Sequence, residues 1–214
     1  MLSWISAPVS RLLRVRRNAG SSVDPGPDVA EDALLMQYAL RYAVGLRSER
    51  TGFGAHCARV ARLCDRVARK LGVCEPPRAA LVAAADLHEI GMVAVPVHLL
   101  ETDGPLSGRQ LERVRAQAWI GAEIVRTTQS ERTVWLIENQ YTDFEVLREA
   151  APSDCDLLLA GILRTADVFD TMGHPRPYQR DLDAGEQARV LRVGAGTRFH
   201  PDVVDVLLGD GAAE

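Results

Sequence analysis

Three places in this 214-residue chain carry side chains able to hold a metal ion. His88-Glu89 closes an almost wholly apolar run, residues 79–87 (AALVAAADL). A polar pair at the end of a buried helix is costly unless it is partnered. Imidazole beside carboxylate suits zinc, manganese or iron. Taken alone, the pair reads by default as a hydrogen-bonded histidine and a solvated glutamate. His56 shares a helix face with Val60, Leu63 and Val67, so it points inward. Asp167 lies in the apolar stretch 163–172 (LRTADVFDTM) and needs a cation or several donors there. An internal salt bridge would also satisfy it. Asp170 follows one turn later and could serve either purpose.

The elements that position these residues read as helices. The apolar period predicts helices over 31–47, 53–71 (stopped by Gly72) and 76–87 (opened by Pro76-Pro77). A further helix runs from an N-cap at Ser107 to about Thr127. A segment at 133–139 follows, then helices over 154–172, 184–192 and 201–208. Strand signals are nearly absent: Val93–Val97 alternates, but it is short and contains Pro96. The expected fold is an all-α bundle of roughly seven to eight helices, occupying residues 31–209. Residues 1–17 read as a short basic amphipathic segment, 18–30 as a flexible linker and 210–214 as a tail. The basic segment is a candidate for docking a protein partner or a membrane surface. A frayed extension is the simpler reading, because Pro8 interrupts its pattern.

The order of the three sites, with their flanks, resembles the HD-GYP branch of the HD phosphohydrolase superfamily. Thr51-Gly52, His56 and Arg59-Val60 resemble its opening segment. Leu87-His-Glu-Ile-Gly91, Val95-Pro96, Leu99-Leu100 and residues 104–107 (GPLS) follow its central stretch. Residues 166–170 (ADVFD) with Arg176-Pro-Tyr178 match its late block, and residues 199–204 (FHPDVV) its closing helix. The resemblance spans about residues 35–208. It implies a divalent ion (iron, manganese or zinc) on His56, His88, Glu89 and Asp167, and catalytic roles for Glu89 and Asp167. It also implies a phosphoester or nucleotide ligand, with Asp170, Arg176 and Arg164 as contacts to it.

The pattern is broken at several positions. The aspartate of the family's His-Asp pair is Glu89, one methylene longer. The lysine expected to meet phosphate is Met92, which supplies no charge. A further histidine falls on Gln117, and the paired histidines of the late motif fall on Glu138 and Asn139. The Gly-Tyr-Pro loop that marks the cyclic di-GMP branch is absent. The surviving set fits one metal ion at most, without the two-metal clamp on attacking and leaving oxygens.

Composition limits the alternatives. Hydrophobic residues make up 47% and charged residues 25%, with a net charge of −4. That balance argues against non-specific nucleic-acid binding. No apolar run reaches the length of a membrane span. Cys57, Cys64, Cys74 and Cys155 show no C-x-x-C spacing and read as reduced thiols of a cytoplasmic protein. A homodimer is compatible with such a bundle. Two functions remain in balance. One is a divergent phosphodiesterase with a mononuclear site. The other is a catalytically inactive domain that senses a nucleotide or docks partners.

Overall fold

The computed structural model describes residues 34–40, 43, 53–102, 104–174 and 182–210. The basic segment, the linker, Arg176 and residues 211–214 lie outside the described residues.

Residues 34–40 are helical. Ten named α-helices and one 3-10 helix follow. They are α1 (Phe53–Lys70), α2 (Pro77–Leu87), the 3-10 turn Ile90–Ala94, α3 (Val97–Leu100), α4 (Gly108–Arg115) and α5 (Gln117–Val125). Then come α6 (Glu131–Glu138), α7 (Phe144–Ala150), α8 (Asp154–Gly173), α9 (Ala184–Gly194) and α10 (Pro201–Asp210). No strand occurs among the described residues. The all-α class therefore holds, and the helix count exceeds the expected seven to eight.

Local chemistry explains most boundaries. Gly72, at φ +72°, ends α1 in a left-handed turn, with Val73 N–H reaching back to Ala68 O at 2.9 Å. Ser107 caps α4 through a reciprocal bond with Gln110, and Asp183 does the same for α9 with Glu186. Ser130 and Ser153 cap α6 and α8.

The extra helices arise where sequence signals are weak. The helix expected over 107–127 breaks at Ala116, between α4 and α5. No glycine or proline marks the break, which turns Gln117 into the interior. Helices α3 and α7 are only 4 and 7 residues long, too short to show an apolar period.

Helix α8 forms the centre of the bundle. It is buried or half-buried throughout Leu157–Met172 and touches α1, α2, α6, α7, α9 and α10. Val60, Cys64 and Val67 of α1 and Leu81, Ala84 and Ala85 of α2 pack against its Leu159, Ile162, Leu163 and Ala166 in one apolar core. The small residues of α2 let it lie close to α1 and α8. That packing brings the C-terminal end of α2 to the N-terminal part of α1 and the second half of α8.

Candidate metal centre

Each helix at this junction delivers one side chain. His56 comes from the first turn of α1, His88 from the C-cap of α2, and Asp167 from α8. Both histidines are buried, at 6% and 1% exposure. His56 Nε2 lies 3.3 Å from His88 Nε2 and 3.2 Å from Asp167 Oδ1. His88 Nε2 lies 3.8 Å from the same oxygen.

The outer nitrogens settle what these atoms offer. His88 Nδ1 stands 2.7 Å from the Ala85 carbonyl, which can only accept. His56 Nδ1 stands 2.7 Å from Asp170 Oδ2. Both Nδ1 atoms therefore carry the proton in the neutral rings, and both Nε2 atoms present lone pairs. Two lone pairs and a carboxylate oxygen converge, which is an arrangement that calls for a cation. Ligands about 2.0–2.1 Å from a tetrahedral ion stand roughly 3.3 Å apart, so the observed separations fit a divalent metal.

Electrostatics agree with that reading. Burial alone would lower the pKa of both histidines. For His56, Glu89, Asp167 and Asp170 outweigh burial and the net direction is upward. For His88, Cys57, Asp167 and Glu89 raise it well above the ordinary value. Burial would raise Asp167, yet the two imidazoles hold it well below the usual carboxylate range. The pocket thus favours positive charge between these groups, and a bound metal would displace the protons.

Asp170 is committed to this support. Arg59 Nε and Nη2 grip its two oxygens at 2.7 and 2.8 Å, while Oδ2 also accepts from His56. Such an outer carboxylate fixes the ring and its tautomer. Glu89, buried at 2%, groups with Cys57 and His88 in a second potential ligand set, whereas His56, His88 and Asp167 form the first.

The HD domain family model matches residues 53–172, which contain all of these side chains. The chain belongs to the HD domain family. It is 31% identical over 188 residues to the 3'3'-cGAMP-specific phosphodiesterase 2 of Vibrio cholerae, covering 85% of this chain and 35% of that protein. It is 26% identical over 162 residues to the cyclic di-GMP phosphodiesterase response regulator RpfG of Xanthomonas campestris, covering 73% and 43%. A cyclic di-GMP phosphodiesterase of Thermotoga maritima is 27% identical over 158 residues, covering 72% and 43%. The chain thus spans less than half the length of these relatives. Among solved structures, Bd1817, an HDG"Y"P protein of Bdellovibrio bacteriovorus, shares the fold with a TM-score of 0.61 at 18% identity. That match covers 89% of this chain and 67% of Bd1817.

Neutral side chains lie beside His56, His88 and Asp167. Gln117 is fully buried, and its amide donates to Tyr141 Oη at 2.8 Å and to Gln140 Oε1 at 3.3 Å. Gln140 in turn donates to the carbonyls of His88 and Ile137, both at 2.9 Å. Neutral amides thus occupy the flank of the HD centre and tie it to the backbone of His88. Met92 is buried among Val95, Leu99, Leu100 and Val114, in an apolar cluster of its own. Arg164 lies one turn before Asp167, with Nη2 3.5 Å from Asp143. Sequence reasoning gave no role to Arg59, Cys57 or Gln140. Arg59 had a signal, since it follows His56 by three residues on the same helix face.

Proposed function

We propose that this HD domain is a metal-dependent phosphodiesterase of reduced nuclearity, acting on a cyclic dinucleotide with a single divalent ion. The convergence of His56 Nε2, His88 Nε2 and Asp167 Oδ1 from three helices carries this reading. When bound there, iron, manganese or zinc supplies Lewis-acid chemistry that activates water against a phosphoester. His56 and His88 present their lone pairs, and Asp167 supplies negative charge and completes the set. Glu89 stands beside His88 as a further ligand or as the carboxylate that takes a proton from the attacking water. Asp170 keeps His56 in its tautomer. Arg164 is the contact to phosphate. The names of the relatives support the cyclic dinucleotide as ligand. The free cysteines, two of them buried, support a reducing compartment such as the cytoplasm. No helix among the described residues is long and apolar enough to cross a membrane.

A second reading has its own observation. The amide network of Gln117, Gln140 and Tyr141 puts neutral groups beside the centre, as in a domain that binds a nucleotide without cleaving it. Elemental analysis of purified protein, followed by incubation with cyclic di-GMP and 3'3'-cGAMP, separates the two. About one equivalent of metal, lost in Asp167→Ala, together with turnover supports the phosphodiesterase. Metal and nucleotide binding without turnover supports the sensor. Absence of metal after reconstitution would sink the metal reading.

A further inference from the structure

A second polar cluster lies beside the metal centre. Arg164 precedes Asp167 by one turn of α8, so the two side chains share a face. The Arg164 side chain is 6% exposed, and its Nη2 approaches Asp143 Oδ1 at 3.5 Å. Arg198 is held against the start of α7, where Phe144 N–H donates to its carbonyl at 3.2 Å. Asp143 is the N-cap of that helix. The guanidinium of Arg115 lies 5.9 Å from the centre of the Tyr141 ring, two residues before Asp143.

Two of these arginines, Arg164 and Arg198, are under-compensated. Nε of Arg164, and Nε and Nη2 of Arg198, are buried and find no acceptor among the described residues. A buried donor left without an acceptor is costly, and native structures rarely leave one so. Burial first, and then the neighbouring Arg164 charge, hold Arg115 and Arg198 below the ordinary arginine range. Arginine remains protonated even so. The charges of Arg115, Arg164 and Arg198 thus gather near the carboxylate of Asp143. A planar guanidinium fork matches the oxygens of a phosphate, and Arg164 and Arg198 keep buried donors that such oxygens would satisfy.

We infer that Arg115, Arg164 and Arg198 form a phosphate-binding subsite next to the metal centre, able to hold a phosphate group whether or not the ion is present. This rests on the reading of the domain as one that takes a phosphoester ligand, and it assigns the groups that grip that ligand. Asp143 keeps the arginines together when the ligand is absent and competes with it when it arrives.

The test uses the full chain, stripped of metal by chelator, titrated with inorganic phosphate against chloride at matched ionic strength. Calorimetry and thermal shift give the readouts. Wild type should respond to phosphate and not to chloride. Arg164→Gln and Arg198→Gln should each weaken phosphate binding by about tenfold or more. If either fails to fold, Arg115→Gln on a half-exposed side chain decides the question. Asp143→Asn should tighten phosphate binding, which loss of a purely structural ion pair would not do. No phosphate-specific response, or an equal response in every variant (an adventitious ion only), would overturn the subsite. Separate metal analysis keeps the two readings apart. Phosphate binding through the arginines without any metal uptake would retain the subsite and overturn the metal centre. Metal uptake with no phosphate response would do the reverse.

Discussion

Asp170 holds His56 by its outer nitrogen, at 2.7 Å, while Arg59 clamps the same carboxylate from the opposite side. The imidazole is thereby fixed in the tautomer that turns a lone pair towards His88 and Asp167. Asp170→Asn keeps the shape but loses the charge and frees the ring. Metal affinity should fall about 10- to 100-fold, as for other outer-shell substitutions. Competition with a chromogenic chelator measures this. An unchanged affinity would show that the ring needs no such support.

Met92 offers a second check. Restoring a lysine there would be expected from sequence to raise affinity for phosphate. The structure reverses that expectation, because the side chain is 1% exposed and packed among Val95, Leu99 and Leu100. Met92→Lys should lower stability by about 3 kcal/mol in urea unfolding, with no gain in phosphate binding. Met92→Leu should cost less than about 1.5 kcal/mol.

Gly91 is required for a different reason. A Cβ there would lie 2.0 Å from the Gln117 carbonyl oxygen and 2.7 Å from the Gly121 nitrogen. Both are backbone atoms and cannot swing aside. Gly91→Ala should destabilise by about 3 kcal/mol and loosen His88, which is three residues away. Lower metal content in whatever protein folds would show the second effect.

Asp156, near the start of α8, makes a prediction about pH. Burial pushes its pKa up, but Arg132 at 2.5 Å and the Ser153 hydroxyl outweigh this and leave it lowered. A lowered folded-state pKa means that the unfolded chain takes up the proton first as pH falls. The stabilisation is therefore complete at neutral pH and is lost as pH drops through about 4 and below. Asp156→Asn should cost about 1 kcal/mol at pH 7, and the difference from wild type should shrink in acid. A constant difference across that range would refute the assignment.

The helical class and most helices were legible because their signals are local. Pro77, Gly72, Ser107 and the apolar period of α1 and α8 act within a turn or two of chain. His56, His88 and Asp167 were legible as inward-facing polar residues among apolar ones. What could not be read was partnership. Nothing in the sequence says that Arg59 and His56 share Asp170, or that Gln117 reaches Gln140 and Tyr141. Those pairings depend on how α1 packs on α8 and α5 on α6. The break at Ala116 was hidden for the same reason, since burial of Gln117 imposes it and no residue at 116 announces it. Arg164 was legible as a charge in an apolar helix, while its companions Arg115 and Arg198 sit in other elements and look like ordinary surface arginines.

The centre also has an order of assembly. His56 and His88 are 32 residues apart, whereas His56 and Asp170 are separated by 114. On a ribosome adding about 5–20 residues per second, the histidines emerge several seconds before the aspartates exist. Closing the longer loop also carries the larger entropy, though only logarithmically so. Both imidazoles are thus present in the chain before α8 brings in the carboxylates. An ion held by the histidine pair during synthesis would still have to fit the geometry that α8 imposes.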